Sequence, residues 1–281
     1  MKCSRCMREI EELVTTCSSC GSFVGFPNVY LAEGVEEQQA LDARYTEAVS
    51  LAATDGTLTN LQEFEEAAKL SSAVVSMSVA RLRSLAVNKN ELYSNYDLAV
   101  RAQARRPALA RNDQRRRAVD AKLWGTAAGE IRYAALSIDG RGLKSYGDCF
   151  VRLDDHFISH RASVLEQNSF SFLKEVTFAE ETPIGFRSNW DDRYKVAVAK
   201  CQSQILGHTK PSEFPSILLK AGDSRSNDEF IEVHVYGGFD FSACSSVITA
   251  NVPRTREDKA SLRIAKQYAL AAKKGWTDDT I

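Results

Sequence analysis

The chain has 281 residues, of which 44% are hydrophobic and 26% charged, and its 36 basic and 37 acidic residues leave a net charge of -1. This composition is typical of a soluble globular protein and excludes a global attraction to nucleic acid or to a membrane surface. No apolar run approaches the roughly 20 residues that span a bilayer, and the N-terminus lacks an apolar secretory segment, so we expect a cytoplasmic protein.

Four of the seven cysteines lie within the first twenty residues and form two Cys-x-x-Cys pairs: Cys3, Cys6, Cys17 and Cys20. Four thiolates suit tetrahedral Zn²⁺, and a site with no open position is structural. Because so short a segment has almost no core, the metal would supply its folding free energy. Two redox pairs are the alternative, but no strand-helix context surrounds them. The sequence therefore predicts a zinc ribbon over residues 1–26.

The remaining cysteines are scattered among apolar residues: Cys149, Cys201 and Cys244. We expect these three to be small buried side chains with free thiols.

Helical spacing dominates the residues that follow the zinc ribbon. Apolar residues from Val35 to Ala53 recur at helical spacing, and the TDGT sequence ends that helix. Thr59 is predicted to cap a second helix that runs to about residue 70. Residues 21–34 are interpreted as a linker, whereas the pattern of residues 71–79 fits a strand and a continued helix equally.

Arginine is concentrated between residues 101 and 117 in a segment that looks helical: Arg101, Arg105, Arg106, Arg111, Arg115, Arg116 and Arg117. One interpretation is a solvated helix face. The other is a local phosphate-binding patch for RNA, DNA or a dinucleotide. Few aromatic residues interleave, so base stacking is not indicated there.

From residue 131 onward the pattern changes to strands, and we predict four: IRYAALSI, DCFVRL, FPSILLKAG and FIEVHVYGGF. Helices are predicted over residues 188–207, with Trp190 as an anchor, and over residues 257–274, and SACSSVITAN is predicted to form a short helical turn. Helices followed by strands with a few further helices indicate an α+β fold.

The strand FIEVHVYGGF alternates in an unusual way. Ile231, Val233 and Val235 fall on one face, which predicts packing against a core. Glu232, His234 and Tyr236 fall on the other face, where a carboxylate, an imidazole and a phenol would line one surface.

Five segments in succession, IRYAALSI, YGDCFVRL, RASVLEQNSF, FIEVHVYGGFDF and LRIAKQYALAAKKGW, resemble the catalytic half of a bacterial mono-ADP-ribosyltransferase-like family of the Arg–Ser–Glu type. The resemblance covers roughly residues 74 to 276. It implies a split β-sheet core, NAD as substrate, and a catalytic domain over residues 74–281, preceded by a helical linker or subdomain over residues 27–73.

The resemblance also implies the site. Glu232 matches the catalytic carboxylate, which would stabilise positive charge on the ribose as nicotinamide leaves. The implied NAD-binding residues are Arg81 for the phosphates, Arg161, Ser163 and Ser169 of the Ser-rich element, and His234 and Tyr236 beside the glutamate.

The chain departs from the family pattern at three positions: Ser76 and Ser78 replace histidines, and Leu165 replaces a hydroxyl residue. Arg83 and Arg132 are therefore further candidates for the phosphate-binding arginine.

Each of these residues also has a structural interpretation. Glu232 could be a surface carboxylate on an edge strand, His234 a structural histidine, and Tyr236 a packing residue. Ser163 and Ser169 could solvate a loop. Glu229 stands three residues before Glu232 and would point to the opposite face of a regular strand.

The principal functional hypothesis is a transferase that takes NAD⁺ and modifies a macromolecule, with RNA or DNA favoured slightly over protein. Such an enzyme would fit a bacterial toxin, with a neutralising antitoxin, or a phage-defence effector. The alternative is an inactive nucleic-acid- or protein-binding module that uses the zinc ribbon and the arginine-rich segment. A third hypothesis is NAD⁺ hydrolysis without transfer.

Overall fold

Eight strands form one sheet with helices on both of its faces in the computed structural model, which describes residues 2–11, 13–95, 98, 100, 110–169, 182–223, 225 and 227–279. The strands are β1 (Ser72–Met77), β2 (Ile131–Ser137), β3 (Cys149–Leu153), β4 (Ala162–Leu165), β5 (Arg187–Asn189), β6 (Glu232–Tyr236), β7 (Cys244–Thr249) and β8 (Gly275–Asp278).

Their order across the sheet is β5-β4-β6-β2-β1-β3-β7-β8. All neighbouring pairs are antiparallel except β7 and β8, which are parallel. The sheet is therefore mixed.

The described helices are α1 (Pro27–Ala32), α2 (Val35–Thr54), α3 (Leu58–Lys69), α4 (Val79–Val87), α5 (Ala110–Trp124), α6 (Asp155–Ile158), α7 (Arg193–Cys201), α8 (Phe214–Leu218) and α9 (Arg256–Ala271). Within these residues, none combines the length and apolar character that a bilayer crossing requires.

The main core lies on one face of the sheet. Ile231 and the β6 side chains of Val233 and Val235 are fully buried there, as the alternation predicts. Helices α2, α3, α4, α7, α8 and α9 contribute the apolar residues that pack against them. Each large apolar side chain buried in this way contributes about 1.5–3 kcal/mol, so this face supplies most of the hydrophobic stabilisation.

The opposite face carries Glu232 and is covered more thinly. The C-terminal half of α5 contributes Val119, Leu123 and Trp124, which pack with Ile131 of β2. Tyr236 joins this smaller cluster at its edge. The predicted polar face of β6 is therefore covered by a helix.

Several predictions for regular structure are confirmed. The helix predicted to begin at Val35 is α2, and the closing helix is α9, where the Thr255 hydroxyl accepts the backbone N–H of Asp258 at 3.1 Å. Trp190 is buried, and the three scattered cysteines are buried free thiols.

The ambiguous segment SSAVVSMSV resolves into strand β1 followed directly by helix α4. The strand ends because the Ser78 hydroxyl accepts the backbone N–H of Arg81 at 3.3 Å and so caps the helix.

The strand predicted for FPSILLKAG is wrong, because Phe214–Leu218 is helix α8. Pro215 occupies the first turn, where its missing N–H costs nothing, and Phe214 and Leu218 lie four residues apart on one buried face. A short apolar run cannot distinguish that arrangement from a strand.

The helical turn predicted for SACSSVITAN is also wrong, because Cys244–Thr249 is strand β7. Val247 and Ile248 are β-branched and favour a strand, and β7 pairs with β3 on one side and β8 on the other. Strand β8 was not predicted.

Three helix starts differ from prediction. Residues 21–34 contain helix α1, whose first residue is Pro27, so they are not only a linker. The helix predicted over residues 188–207 is shorter: α7 begins at Arg193 and follows strand β5. Helix α3 begins at Leu58, so Thr59 lies inside it and is not the cap.

The coarse prediction of an α+β fold agrees with this mixed sheet and its helices. The resemblance implied a split sheet, whereas hydrogen bonds join all eight described strands into one.

Candidate functional site

The four N-terminal cysteines lie together, as their spacing predicts. Their sulfur atoms all fall within 4.8 Å of one another. The Sγ atoms of Cys3 and Cys20 are 3.7 Å apart, and those of Cys6 and Cys17 are also 3.7 Å apart. Sulfurs 2.3 Å from a tetrahedral Zn²⁺ would be about 3.8 Å apart, so these positions fit a metal ion that all four hold.

The two halves of this cysteine unit (residues 2–26) repeat one backbone design. The backbone N–H of Cys3 donates to Arg8 and that of Cys17 donates to Ser22, each at 2.9 Å. Met7 and Gly21 occupy equivalent positions and both have left-handed φ angles, of 59° and 68°. Each Cys-x-x-Cys pair therefore forms the same tight turn and presents its sulfurs to a shared centre.

Hydrogen bonds favour thiolates in this unit. Backbone N–H groups of Cys6 and Arg5 lower the pKa of Cys3, and the Ser22 hydroxyl and N–H lower the pKa of Cys20 to about 6. The Arg8 N–H lowers the pKa of Cys6, but burial and the neighbouring sulfurs outweigh it and raise the pKa to about 11. A bound cation would favour the thiolate of all four.

The second site surrounds Glu232, the first residue of β6. Strand β6 lies between β4 and β2, so Glu232 stands opposite Leu165 and Ala135 and is not on an edge strand. Its side chain is only 3% exposed. The Oε2 atom accepts the backbone N–H of Ser169 at 2.9 Å and lies 3.1 Å from His234 Nε2.

An arginine of α5 reaches the same carboxylate. Nη2 of Arg116 is 3.9 Å from Glu232 Oε1, and its guanidinium lies 4.1 Å from the centre of the Tyr133 ring. Nε of Arg116 is 3.2 Å from Asp120 Oδ1, and the Tyr133 hydroxyl donates to that same oxygen at 2.7 Å. Two carboxylates, one guanidinium and one phenol thus form a connected network. We call this network and the adjoining His234 the Glu232 cluster.

Burial raises the pKa of both carboxylates, but their other neighbours offset it to different extents. Burial raises the pKa of Glu232, but His234, the charge of Arg116 and the Ser169 N–H outweigh it, so the pKa lies below the ordinary value. Burial dominates at Asp120 and raises its pKa in spite of Arg116 and Tyr133. The surroundings of Glu232 therefore favour its anionic form, and those of Asp120 favour its neutral form.

Two aromatic rings and an amide fix His234. Its ring meets Trp124 at 4.8 Å and Tyr133 at 5.3 Å, both edge to face. Asn28 of α1 donates from Nδ2 to the His234 carbonyl at 3.0 Å and also contacts the hydroxyl of Ser163 at 3.2 Å. Asn28 was not among the predicted site residues, because residues 21–34 look like a linker in the sequence.

The remaining predicted site residues are only partly brought together. Ser163, paired with His234 across the strands, shares its face, and Ser169 touches Glu232. Arg161 donates to the carbonyls of Tyr236 and Gly238, so it braces the end of β6.

Arg81 does not share a contact with the Glu232 cluster among the described residues. It lies on helix α4, pairs with Glu91, and donates to the Leu92 carbonyl at 3.1 Å. Arg81 is not part of strand β1, because that strand ends at Met77 and Ser78 caps the helix that follows. The other candidate, Arg132, donates to the carbonyls of Tyr93 and Gly129.

Tyr236 and Glu229 lie at the margin. The Tyr236 ring packs 5.0 Å from Phe26 of the cysteine unit, so that unit adjoins the strand that carries Glu232. The exposed side chain of Glu229 is 3.5 Å from Lys220, away from the cluster.

The arginine-rich segment is described only in part. Arg101, Arg105 and Arg106 lie outside the described residues, as does the side chain of Arg111. Arg116 was predicted as one member of that segment, and nothing in its spacing marked it as a partner of Glu232. Asp120 and Trp124 follow Arg116 at i+4 and i+8, so the three side chains lie on one face of the helix. That spacing is the signal in the sequence that points to the cluster.

A cavity next to His234 measures about 10 Å³ and is lined in part by Trp124, Ser163 and Leu165. A larger cavity of about 160 Å³ lies between α2 and β5, lined by Asp42 and Lys195, away from Glu232.

Comparison of the chain with protein-family models and with curated proteins finds no match. The function therefore has to be argued from the geometry and from the resemblance of the five segments.

Proposed function

We propose that this protein is an NAD-dependent mono-ADP-ribosyltransferase that modifies a macromolecule and that Glu232 is its catalytic carboxylate. One observation carries the proposal: the Glu232 carboxyl is 3% exposed on an interior strand of the sheet, and its neighbours hold its pKa below the ordinary value. Burying a carboxylate costs several kcal/mol unless it is well paired, and strongly perturbed carboxylates cluster at functional sites.

The chemistry fits a fixed anion. In the proposed reaction the bond between ribose C1′ and the nicotinamide nitrogen breaks, and nicotinamide leaves with the electron pair. Positive charge develops at C1′, where a preorganised and desolvated carboxylate stabilises it most. The acceptor nucleophile then forms a bond to C1′ and releases its proton, so no redox partner is needed.

The two oxygens of Glu232 would have different roles. Ser169 and His234 both hold Oε2 and fix the carboxylate, so His234 is a positioning residue. Oε1 faces Arg116 and is the oxygen that we assign to the substrate ribose.

The test is release of nicotinamide from NAD⁺ by the full chain, with nucleic acid or cell lysate as acceptor. Glu232→Gln should reduce the rate by about 10²–10³-fold, the range seen when a transition-state charge partner is lost. Glu229→Gln is the matched control, because Glu229 is exposed and its ion pair is with Lys220, and it should retain the wild-type rate within about twofold. No release by the wild type would overturn the enzyme proposal, and equal release by Glu232→Gln would overturn the role of Glu232.

Nucleic acid remains our favoured acceptor over protein, on the strength of the arginine-rich segment. NAD⁺ carrying label in its ADP-ribose half distinguishes the cases: label that nuclease removes indicates RNA or DNA, and label that protease removes indicates protein. Label found only as free ADP-ribose indicates hydrolysis without transfer. A toxin or phage-defence role, with a neutralising antitoxin, is part of the same proposal and would appear as growth arrest that Glu232→Gln abolishes.

The small size of the cavity beside His234, as the described residues form it, favours a second candidate function, an inactive binding module. The cavity of about 10 Å³ beside His234 does not hold a nucleotide. In that case the protein would bind nucleic acid or a protein partner without cleaving NAD⁺, and wild type and Glu232→Gln would bind equally.

We further propose that the metal of the cysteine unit is Zn²⁺ with a structural role. Four sulfurs at tetrahedral spacing leave no position for a substrate. One equivalent of zinc per chain, measured by elemental analysis after purification without added metal, is the expected result.

A further inference from the structure

The guanidinium of Arg116 lies in the Glu232 cluster where a bound planar cation would lie. Its guanidinium, a flat cation, lies over the face of Tyr133 at 4.1 Å and in front of Glu232 Oε1 at 3.9 Å. An aromatic face and a carboxylate together form the usual recognition site for planar organic cations. The same atoms would therefore accept another flat cation of similar size.

Arg116 is an imperfect structural partner for Glu232. A strong arginine–carboxylate pair has N–O distances of about 2.7–2.9 Å and is often bidentate, whereas this contact is a single one at 3.9 Å. Two neighbouring polar groups, the Ser169 hydroxyl and the Trp124 indole N–H, are buried without a hydrogen-bond partner among the described residues. The surroundings of Glu232 are thus less completely satisfied than a purely structural ion pair would require.

The side chains of helix α5 that the structure describes are those of residues 114–124. The buried apolar ones among them are Val119, Leu123 and Trp124, whereas residues 114–118 are exposed or half-buried. Arg116 is 22% exposed and belongs to that N-terminal half. The N-terminal half could move away from the sheet without exposing a large apolar side chain, while the C-terminal half keeps its packing.

We propose that Arg116 is an internal competitor, which fills a planar-cation site between Tyr133 and Glu232 and holds that site closed until α5 moves. This inference rests on the proposed function in one respect: the cation that would replace the guanidinium is the pyridinium ring of NAD⁺. Arg116 then regulates the enzyme by occlusion, and it is not a catalytic residue.

The experiment first measures binding of 1-methylnicotinamide, a planar cation, to the full chain by NMR titration. Arg116→Ala opens the site, and Arg116→Ser, which is equally short but polar, is a second variant in case the apolar replacement impairs folding. Both should bind the cation at least tenfold more tightly than the wild type. Neutral nicotinamide is the matched ligand and should bind none of them measurably, and Arg116→Ala with Glu232→Gln should lose the binding.

The same variants are then compared in nicotinamide release from NAD⁺. Arg116→Ala should lower KM for NAD⁺ and raise kcat/KM about tenfold, whereas Arg117→Ala, one residue further on the same helix and exposed, should stay within about twofold of the wild type.

The two proposals fail separately. If the wild type releases nicotinamide but neither Arg116 variant binds the cation more tightly nor reacts faster, occlusion by Arg116 is overturned and the enzyme proposal stands. If both variants bind the cation but no form releases nicotinamide, the cation site is supported and NAD chemistry is overturned.

Discussion

The cysteine unit and the Glu232 cluster both gather reactive side chains, but they do so over very different distances in the sequence. The unit brings four sulfurs within 4.8 Å from residues no more than 17 positions apart. The cluster joins residues of α5, β2 and β6 with Ser169, so its members span more than 100 positions. Local spacing determines the first arrangement, and only the completed sheet determines the second.

They also differ in how their charge is balanced. The cysteine unit has four donors directed at one centre and needs a cation from outside the chain. The Glu232 cluster takes its cation from the chain itself, from Arg116. The sulfurs of the unit are thus placed for an added metal ion, whereas the carboxylate of the cluster already has a cationic neighbour within the chain.

The largest expected effect is loss of the metal. Cys17→Ser removes one of the two buried sulfurs, and up to about 10–16 kcal/mol of metal-binding free energy supports folding of such a unit. We expect bound zinc to fall well below one equivalent and residues 2–26 to become sensitive to protease. Elemental analysis and limited proteolysis measure the two effects.

The control for this experiment is Cys244→Ala, which removes a buried thiol far from the unit. That variant should lose some stability because it leaves a cavity in the core, but it should keep one equivalent of zinc. A Cys17→Ser protein that retains zinc and protease resistance would contradict a four-sulfur site.

The next effect is loss of His234, which tests whether the cluster is a connected network. His234→Ala removes a hydrogen-bond partner of a buried carboxylate, and breaking such a pair costs about 3–5 kcal/mol. Urea denaturation should show that loss in the free energy of unfolding. His208→Ala, an exposed histidine, should change it by less than about 0.5 kcal/mol.

His234→Gln sharpens the interpretation, because its amide can still donate towards Glu232 and should restore part of the loss. A His234→Ala protein as stable as the wild type would mean that the histidine does not hold the carboxylate.

A smaller effect concerns acid, and its sign differs between the two carboxylates of the cluster. The pKa of Glu232 is lower in the folded chain than its ordinary value, so its contribution to stability is present above about pH 4.5. That contribution is lost as the pH falls through the folded pKa. The Glu232→Gln variant should therefore lose less stability than the wild type on acidification, by about 1.4 kcal/mol per unit of pKa shift.

Asp120→Asn is the matched variant with the opposite sign. Burial raises the pKa of Asp120 in the folded chain, so its contribution is present below its unfolded pKa and is lost as the pH rises through the folded pKa. Replacing it should make stability fall more steeply towards low pH. Thermal unfolding between pH 3 and pH 7 measures both, and equal slopes in all three proteins would contradict the opposite pKa directions.

The sequence predicts the metal site because thiolate spacing is a local property. It also predicts which face of β6 is buried, because Ile231, Val233 and Val235 alternate with polar residues. It does not predict that Glu232 is buried too, because alternation shows where a side chain points and not what covers that face. The cover is α5, whose relation to β6 depends on the tertiary packing of Val119 and Trp124.

The errors have a related cause. Residues 214–222 and 242–251 form two short segments. In segments of this length, a mixture of apolar residues, serine and proline is compatible with both a helix and a strand. Phe214 and Leu218 adopt a helix because both then reach the core, and Cys244–Thr249 becomes a strand because β3 and β8 lie on either side of it. Neighbours that the local sequence does not contain decide both outcomes.

The smallest effect lies inside the cysteine unit and tests whether its two halves are equivalent. Met7 and Gly21 hold the same left-handed position, but Met7 has a side chain and is 67% exposed. A residue with a Cβ is destabilised by roughly 1–2 kcal/mol in this conformation. Glycine avoids that cost, but its more flexible unfolded chain offsets part of the benefit. Met7→Gly should therefore strengthen zinc binding by a net amount of about 1 kcal/mol, or roughly fivefold, in a chelator competition. Gly21→Ala should weaken it by a similar factor, since no atom lies within 4 Å of the added Cβ and only the backbone conformation opposes it. If both substitutions shift affinity in the same direction, the two halves do not share one turn geometry, and the local symmetry that separates this unit from the Glu232 cluster is lost.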